Sequence, residues 1–210
     1  MNAGLRRAFP RAARTGAVLL CALLVLGCSL PLNGKGEVRA YDFGPAAGAK
    51  EGARKLSQPL LVYDVSGPAW LESPAVFYRL AYVDASRPLA YASSRWVMSP
   101  AALLSGRLRQ RLSGAGGGVI LPTDGLRAPA ALRVELDEFT QVFDAEAMSR
   151  AVVRLRASLV GPRSLIAQKS FSVDRAAASP NAEGGVRALA AASDEVLDQL
   201  LEWVAVSLKD

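Results

Sequence analysis

The chain has 210 residues, 51% of them hydrophobic, which suffices for one packed domain and excludes a chain that is disordered throughout. Four of its 25 basic residues (Arg6, Arg7, Arg11 and Arg14) precede Cys28 with no acid among them, so the rest carries 21 basic against 19 acidic residues, a net +2 rather than the overall +6. That near-neutral remainder excludes a basic nucleic-acid-binding face. The absence of histidine removes imidazole metal ligands, Ser-His-Asp and Cys-His relays and a neutral-pH imidazole switch.

The N-terminus reads in three parts: the arginines, an apolar run from Gly16 to Gly27, and Val25-Leu26-Gly27-Cys28. The run is too short to span a bilayer, which takes about 18–20 residues, so it reads as a secretory signal. Gly27-Cys28 resembles the lipobox of bacterial lipoproteins. That resemblance implies cleavage before Cys28, a diacylglycerol on its thiol and a further acyl chain such as palmitate on the new amine. Two or three chains hold a protein firmly where one does not. Ser29, rather than an aspartate, follows the cysteine, which by resemblance to known sorting rules favours the outer membrane. Cys21 leaves with the signal, so the mature chain can form no internal disulfide and must rest on its core.

The division is then a signal peptide at 1–27, a lipidated cysteine with its tether at 28–37, and a single domain at 38–210. A flexible ten-residue tether spans about 15–20 Å on average. Val38 to Phe43 predicts a first strand, and Ala46 to Pro59 a mobile loop rich in Ala, Gly and charge. Leu60 to Val65 and Ala75 to Val83 predict strands, the latter forming a hairpin with Leu89 to Arg95 across Arg87-Pro88. Ser99-Pro100 predicts a helix start, and Leu104, Leu108 and Leu112 its apolar stripe. Gly114 and Gly116 to Gly118 end that helix as a flexible stop. A short strand, Val119 to Leu121, precedes Pro122. Leu132 to Asp137, Ala151 to Leu159 and Leu165 to Val173 alternate apolar with polar residues, and their short connections predict an antiparallel meander with one covered face. The last and clearest helix runs from Val186 to about Leu208. Its stripe is Val186, Leu189, Val196, Leu200, Val204 and Leu208. The expected class is α+β, an antiparallel sheet with two helices packed on one face.

Few residues suggest chemistry. Asp137 and Glu138 are adjacent acids on a predicted strand. Neighbouring strand residues point to opposite faces, so the two cannot work as an acid–base pair without a bulge, and a solvated strand end is the plainer reading. Asp124, Asp144, Glu146 and Asp174 sit near turns, where aspartate bonds the backbone. The GAGGG run at 114–118 lacks the Lys-Ser/Thr of a phosphate loop and trails a helix rather than opening one. Arg107, Arg109 and Arg111 read as a solvated helix face. Of the aromatics Tyr63, Trp70, Phe77, Tyr78, Tyr82, Tyr91 and Trp96, most belong in the core, and Trp70 is the best candidate for an exposed contact. No residue stands out as a catalytic, metal or cofactor site.

The order of features resembles the ABC-type transport auxiliary lipoprotein family, which includes the paraquat-inducible protein C type. The matching features are the lipobox, Tyr41-Asp42-Phe43 near the mature start, Trp96 ahead of the helix at Ala101 to Leu112, the long strands, and the closing helix at Val186 to Leu208. The segment Ala46 to Pro59 has no counterpart in the pattern. The resemblance implies a non-enzymatic component of a lipid transport system, membrane-bound by its acyl chains, with an MCE-domain periplasmic protein and an ABC permease as partners. Direct phospholipid contact and a homo-oligomer stay open. Only Cys28 carries over with a role, as the lipidation site. The alternative is a structural or assembly lipoprotein of another outer-membrane complex, and a carboxylate-only hydrolase built on Asp137 and Glu138 is a third reading.

Overall fold

One strand organises the sheet in the computed structural model, which describes residues 37–45 and 55–209. This strand, β6 (Ala130–Ala145), is 16 residues long. One edge pairs antiparallel with β7 (Met148–Val160), which pairs antiparallel with β8 (Leu165–Ala176). The other edge is shared by two short strands, both parallel to β6. β2 (Leu60–Val62) lies beside Ala130–Leu132, and β3 (Ala75–Leu80) beside Gln141–Phe143. A bridge from Ser66 to Glu135 fills part of the gap between them.

Each short strand extends the sheet. β5 (Val119–Ile120) runs parallel to β2. β4 (Ala85–Trp96) runs antiparallel to β3, and β1 (Arg39–Tyr41) parallel to β4. Four pairings are therefore parallel and three antiparallel. The expected antiparallel sheet is corrected to a mixed one, since only the β6–β8 meander and the β3–β4 hairpin follow the short-connection rule. The parallel pairs join segments far apart in sequence, and alternation patterns say nothing about such partners.

Two helices cover one face. α1 (Pro100–Gly114) begins at Ser99, whose hydroxyl accepts from the Ala102 amide, with proline in the first turn. α2 (Ala182–Ser207) begins at Asn181, whose side-chain oxygen accepts from the Gly184 amide. Leu104, Leu108 and Leu112 of α1 join Val186, Leu189, Val196, Leu200 and Val204 of α2 in one core with Ala151, Val153, Leu155, Ala157 and Leu159 of β7. These β7 residues alternate with exposed Arg154 and Arg156, as a sheet covered on one side requires.

Local departures have identifiable causes. β3 stops at Leu80 rather than Val83, and a four-residue helical turn, Ala81–Asp84, leads into β4. The Asp84 carboxylate accepts from the Ser86 amide (2.9 Å) and hydroxyl (2.6 Å), closing the turn ahead of Arg87-Pro88. Lys55 to Pro59 belongs to the fold instead of a mobile loop: Leu56 is buried, its amide donates to Ala115 O, and the Leu60 amide donates to Gly118 O. The glycine run that ends α1 is thus a packed corner. Gly117 has φ +77°, and a Cβ there would meet Leu56 Cβ at 2.6 Å. Cys28, the tether as far as residue 36, and residues 46–54 lie outside the described residues.

Candidate functional site

β6 contains the bulge that a converging pair of adjacent acids requires. Leu136 stands opposite Leu155 and Glu138 opposite Arg154, so Asp137 is the extra residue. Before it, Ala130, Leu132, Val134 and Leu136 face the core; after it, Phe139, Gln141 and Phe143 do. Asp137 is exposed. Glu138 is committed elsewhere: its carboxylate accepts from Arg79 Nε (3.2 Å) and Thr140 Oγ1 (2.5 Å).

The same outer face carries further ion pairs. Arg150 joins Asp144 (3.0 Å) and Asp174 (2.5 Å), and Arg156 pairs with Glu135. Hydrogen bonding and charge from Glu135 raise the Arg156 pKa further. Arg133 lies over the Tyr63 ring at 4.9 Å. Charge on this face is largely answered within the face itself; the Arg156–Glu135 pair is solvent-exposed and weak, whereas Arg79–Glu138 is partly buried.

The arginines of α1 are corrected from a solvated face to an interhelix joint. Arg107 and Arg111 are four residues apart and share one side of the helix, opposite Asp194 and Asp198 of α2 at the same spacing. Arg111 Nη2 lies 2.9 Å from Asp194 Oδ1, and Arg111 Nη1 bonds Asp198. Arg107 Nη1 is 3.7 Å from Asp194, while its Nη2 donates to Gly44 O at 2.6 Å and its guanidinium lies 5.9 Å over the Phe43 ring. Both arginine side chains are buried. Only Arg109 stays at the surface, paired with Asp64 at 2.7 Å.

A second polar centre, not signalled by the sequence, lies under the N-terminus of α2. Gln141 is fully buried; its Oε1 accepts from Tyr91 Oη (2.9 Å) and its Nε2 donates to Ser149 Oγ (2.8 Å). Gly185 admits the amide, since a Cβ there would stand 2.0 Å from Gln141 Oε1. Burial, with a smaller contribution from Tyr78, pushes the Tyr91 phenol up to about 12. Continued past Leu136, the alternation of Leu132, Val134 and Leu136 puts Gln141 on the polar face, and only the bulge at Asp137 turns it inward.

The expected core placement of most aromatics is corrected: of the seven only Trp96 is buried, Tyr63, Trp70, Phe77, Tyr78 and Tyr91 are partly buried, and Tyr82 is exposed. Trp96 is buried against Phe43 and Phe139, both at 5.6 Å. Trp70 is half-buried, with Phe77 edge-on at 5.1 Å and Arg79 over its ring at 5.7 Å, so it packs within the domain rather than standing free. A shallow depression of about 350 Å³ lies between β8 and α2, lined by Lys169, Gln199, Glu202, Trp203 and Val206. Among the described residues no His/Cys/Asp/Glu group is placed to hold a metal, and no helix is long and apolar enough to cross a membrane.

The fold is a two-layer α+β domain, a mixed sheet covered on one face by two helices. The chain belongs to the family of ABC-type transport auxiliary lipoprotein components, which matches residues 41–201. It is similar in fold to the protein XCC0632 of Xanthomonas campestris, assigned to DUF330, with TM-score 0.73 and 18% identity over 82% of this chain and 97% of that one. It is also similar to an uncharacterized protein of known structure, with TM-score 0.59 and 16% identity over 80% and 99% of the two chains. No curated protein matches the sequence.

Proposed function

We propose that this chain is a lipoprotein of the outer membrane, facing the periplasm, and an auxiliary component of an ABC/MCE-type lipid transport system. It acts by docking rather than by catalysis. The observation that carries this reading is the family match over residues 41–201, joined to a lipobox-like Gly27-Cys28. Cys28 is the acylated residue, and the tether after it keeps the domain near the membrane. The partners are an MCE-domain periplasmic protein and, through it, an ABC permease. Docking is supported by where the polar groups go: Glu138 is held by Arg79 and Thr140, and the buried arginines join the two helices.

The test is crosslinking in intact cells, followed by solubilisation and mass spectrometry of what accompanies a tagged copy. Recovery of an MCE protein with an ABC permease is the expected result. Recovery of another outer-membrane assembly in their place would move the chain to the structural or assembly reading.

A further inference from the structure

Side chains of β8 and α2 meet in opposite sequence order, so the helix lies antiparallel along the strand. Arg175 of β8 bonds Glu195 of α2 at 3.2 Å. Further along, the buried Phe171 ring meets Trp203 edge-on, with centroids 5.8 Å apart. Beyond that contact Lys169 faces Gln199, Glu202, Trp203 and Val206 across the depression of about 350 Å³. Four of the five acids of α2 are held by arginines: Glu183 by Arg187, Asp194 and Asp198 by Arg111, and Glu195 by Arg175. Glu202 is the fifth, and among the described residues no cation pairs with it.

Lys169 is the matching exception on β8. Its ammonium lies 5.2 Å from the centre of the Phe171 ring and, among the described residues, bonds no carboxylate. The strand and helix are thus tied by charge at Arg175–Glu195 but not at Lys169 and Glu202, where the half-buried Trp203 lines the space between them. The result is a cation and a carboxylate held on facing elements, beside the paired rings of Phe171 and Trp203. Both elements are fixed by the core beneath, so the two charges keep their places. A single surface charge recruits nothing specific. Two opposite charges across one depression match a ligand that carries both, and the rings supply a face for its cationic end.

We infer that this depression binds an ammonium–phosphate zwitterion of the phosphoethanolamine class. The phosphate accepts from the Lys169 ammonium, and the Gln199 amide offers a further donor. The ligand's ammonium donates to Glu202 and lies against the Trp203 ring. Val206, 40% exposed, leaves one wall apolar for the methylenes between the two charges. The volume is at the small end for a ligand site, so it holds a headgroup and leaves any acyl chains outside. The source is a free headgroup or a phospholipid. Only the phospholipid source rests on the transport reading above, which partner recovery tests separately.

The test follows the phosphorus NMR signal of added probes with full-length, lipidated protein in maltoside detergent, which contains no phosphorus. The probes are phosphoethanolamine, dihexanoylphosphatidylethanolamine and inorganic phosphate. Saturable binding of the first two, and weaker binding of inorganic phosphate, is the expected result. K169M and E202Q should each weaken it about three- to tenfold, as charge-assisted contacts at a solvent-exposed site do. Both positions are exposed, so the melting temperature of either variant should match the wild type. Tighter binding of the dihexanoyl lipid, lost in the two variants, assigns the phospholipid as the source; equal binding of the two zwitterions assigns the headgroup alone. Three outcomes overturn the site: no saturable binding of either zwitterion, equal affinity in the wild type and both variants, or inorganic phosphate bound as tightly as phosphoethanolamine. None of these bears on recovery of the MCE protein and permease, so the transport reading can stand where the site falls.

Discussion

Arg111 and Asp198 bond across 87 residues of sequence and, with Asp194, clasp the two helices over the sheet. Removing Arg111 takes a buried guanidinium from Asp194 and Asp198, whose side chains are about one-fifth exposed, and Asp194 keeps Arg107 at 3.7 Å, so the cost is about 1–3 kcal/mol. R111A is expected to lower the urea midpoint accordingly. Replacing Arg111 and Asp198 together with Met and Leu should recover part of the loss, because both charges go and Asp194 keeps Arg107 beside it. Equal destabilisation of the single and double variants would count against an ion-pair joint.

Gly185 lies against Gln141 so closely that a methyl group must displace it. Alanine is the better helix former by about 1 kcal/mol, yet G185A is expected to destabilise by about 2–3 kcal/mol through overpacking. A melting temperature unchanged or raised in G185A would contradict the close approach.

Tyr91 supplies a pH dependence whose sign follows from its phenol. The folded pKa is raised to about 12 from 10.0, so the folded state keeps a proton that the unfolded state loses first. The contribution is fully present below pH 10 and is lost as pH rises toward 12. Allowing for partial solvent screening, it amounts to on the order of 1–2 kcal/mol. Denaturation of the wild type and Y91F at pH 9 and pH 11.5 is the check. The wild type should lose more stability between the two than Y91F, which is less stable at pH 9 because Gln141 Oε1 loses its donor.

The carboxylates at the β6 bulge provide a functional control. D137N/E138Q removes both charges while keeping shape, and the partly buried Arg79–Glu138 pair it weakens is worth about 1–3 kcal/mol, which leaves the domain folded. Partner recovery by crosslinking and the cellular phenotype should be unchanged. Loss of phenotype with normal folding and partner recovery would revive the hydrolase reading.

Cys28 has a direct chemical readout. C28A is expected to incorporate no labelled palmitate and to leave the membrane fraction. Retention of label in C28A would place the acyl chains elsewhere.

The sequence revealed what local spacing controls. Ser99-Pro100 set the start of α1, and Val186 to Val204 traced the buried face of α2. The three long strands were visible because their apolar residues recur every second position. The parallel pairing of β2 and β3 along one edge of β6 was not visible, because it joins residues 60–80 to 130–143 with no local signature. The arginine joint was missed for a related reason. Taken one by one, Arg107, Arg109 and Arg111 spread around a helix, and the four-residue spacing of Arg107 and Arg111 gains meaning only opposite Asp194 and Asp198. The bulge at Asp137 likewise changes the facing of every later β6 residue, and two adjacent acids at that point were its only trace.

The two short strands on one edge of β6 also constrain how the molecule assembles. β1, β4 and β3 form one patch and β2 with β5 another, and β6 is the splint that joins them. Until residues 130–145 are in place, the earlier half of the chain has unpaired strand edges and no common core. Closing such long loops is slow and leaves those edges open to wrong partners meanwhile. The meander and α2, whose contacts are more local, form the natural nucleus, so the N-terminal half must wait for the C-terminal half before it is safe from aggregation.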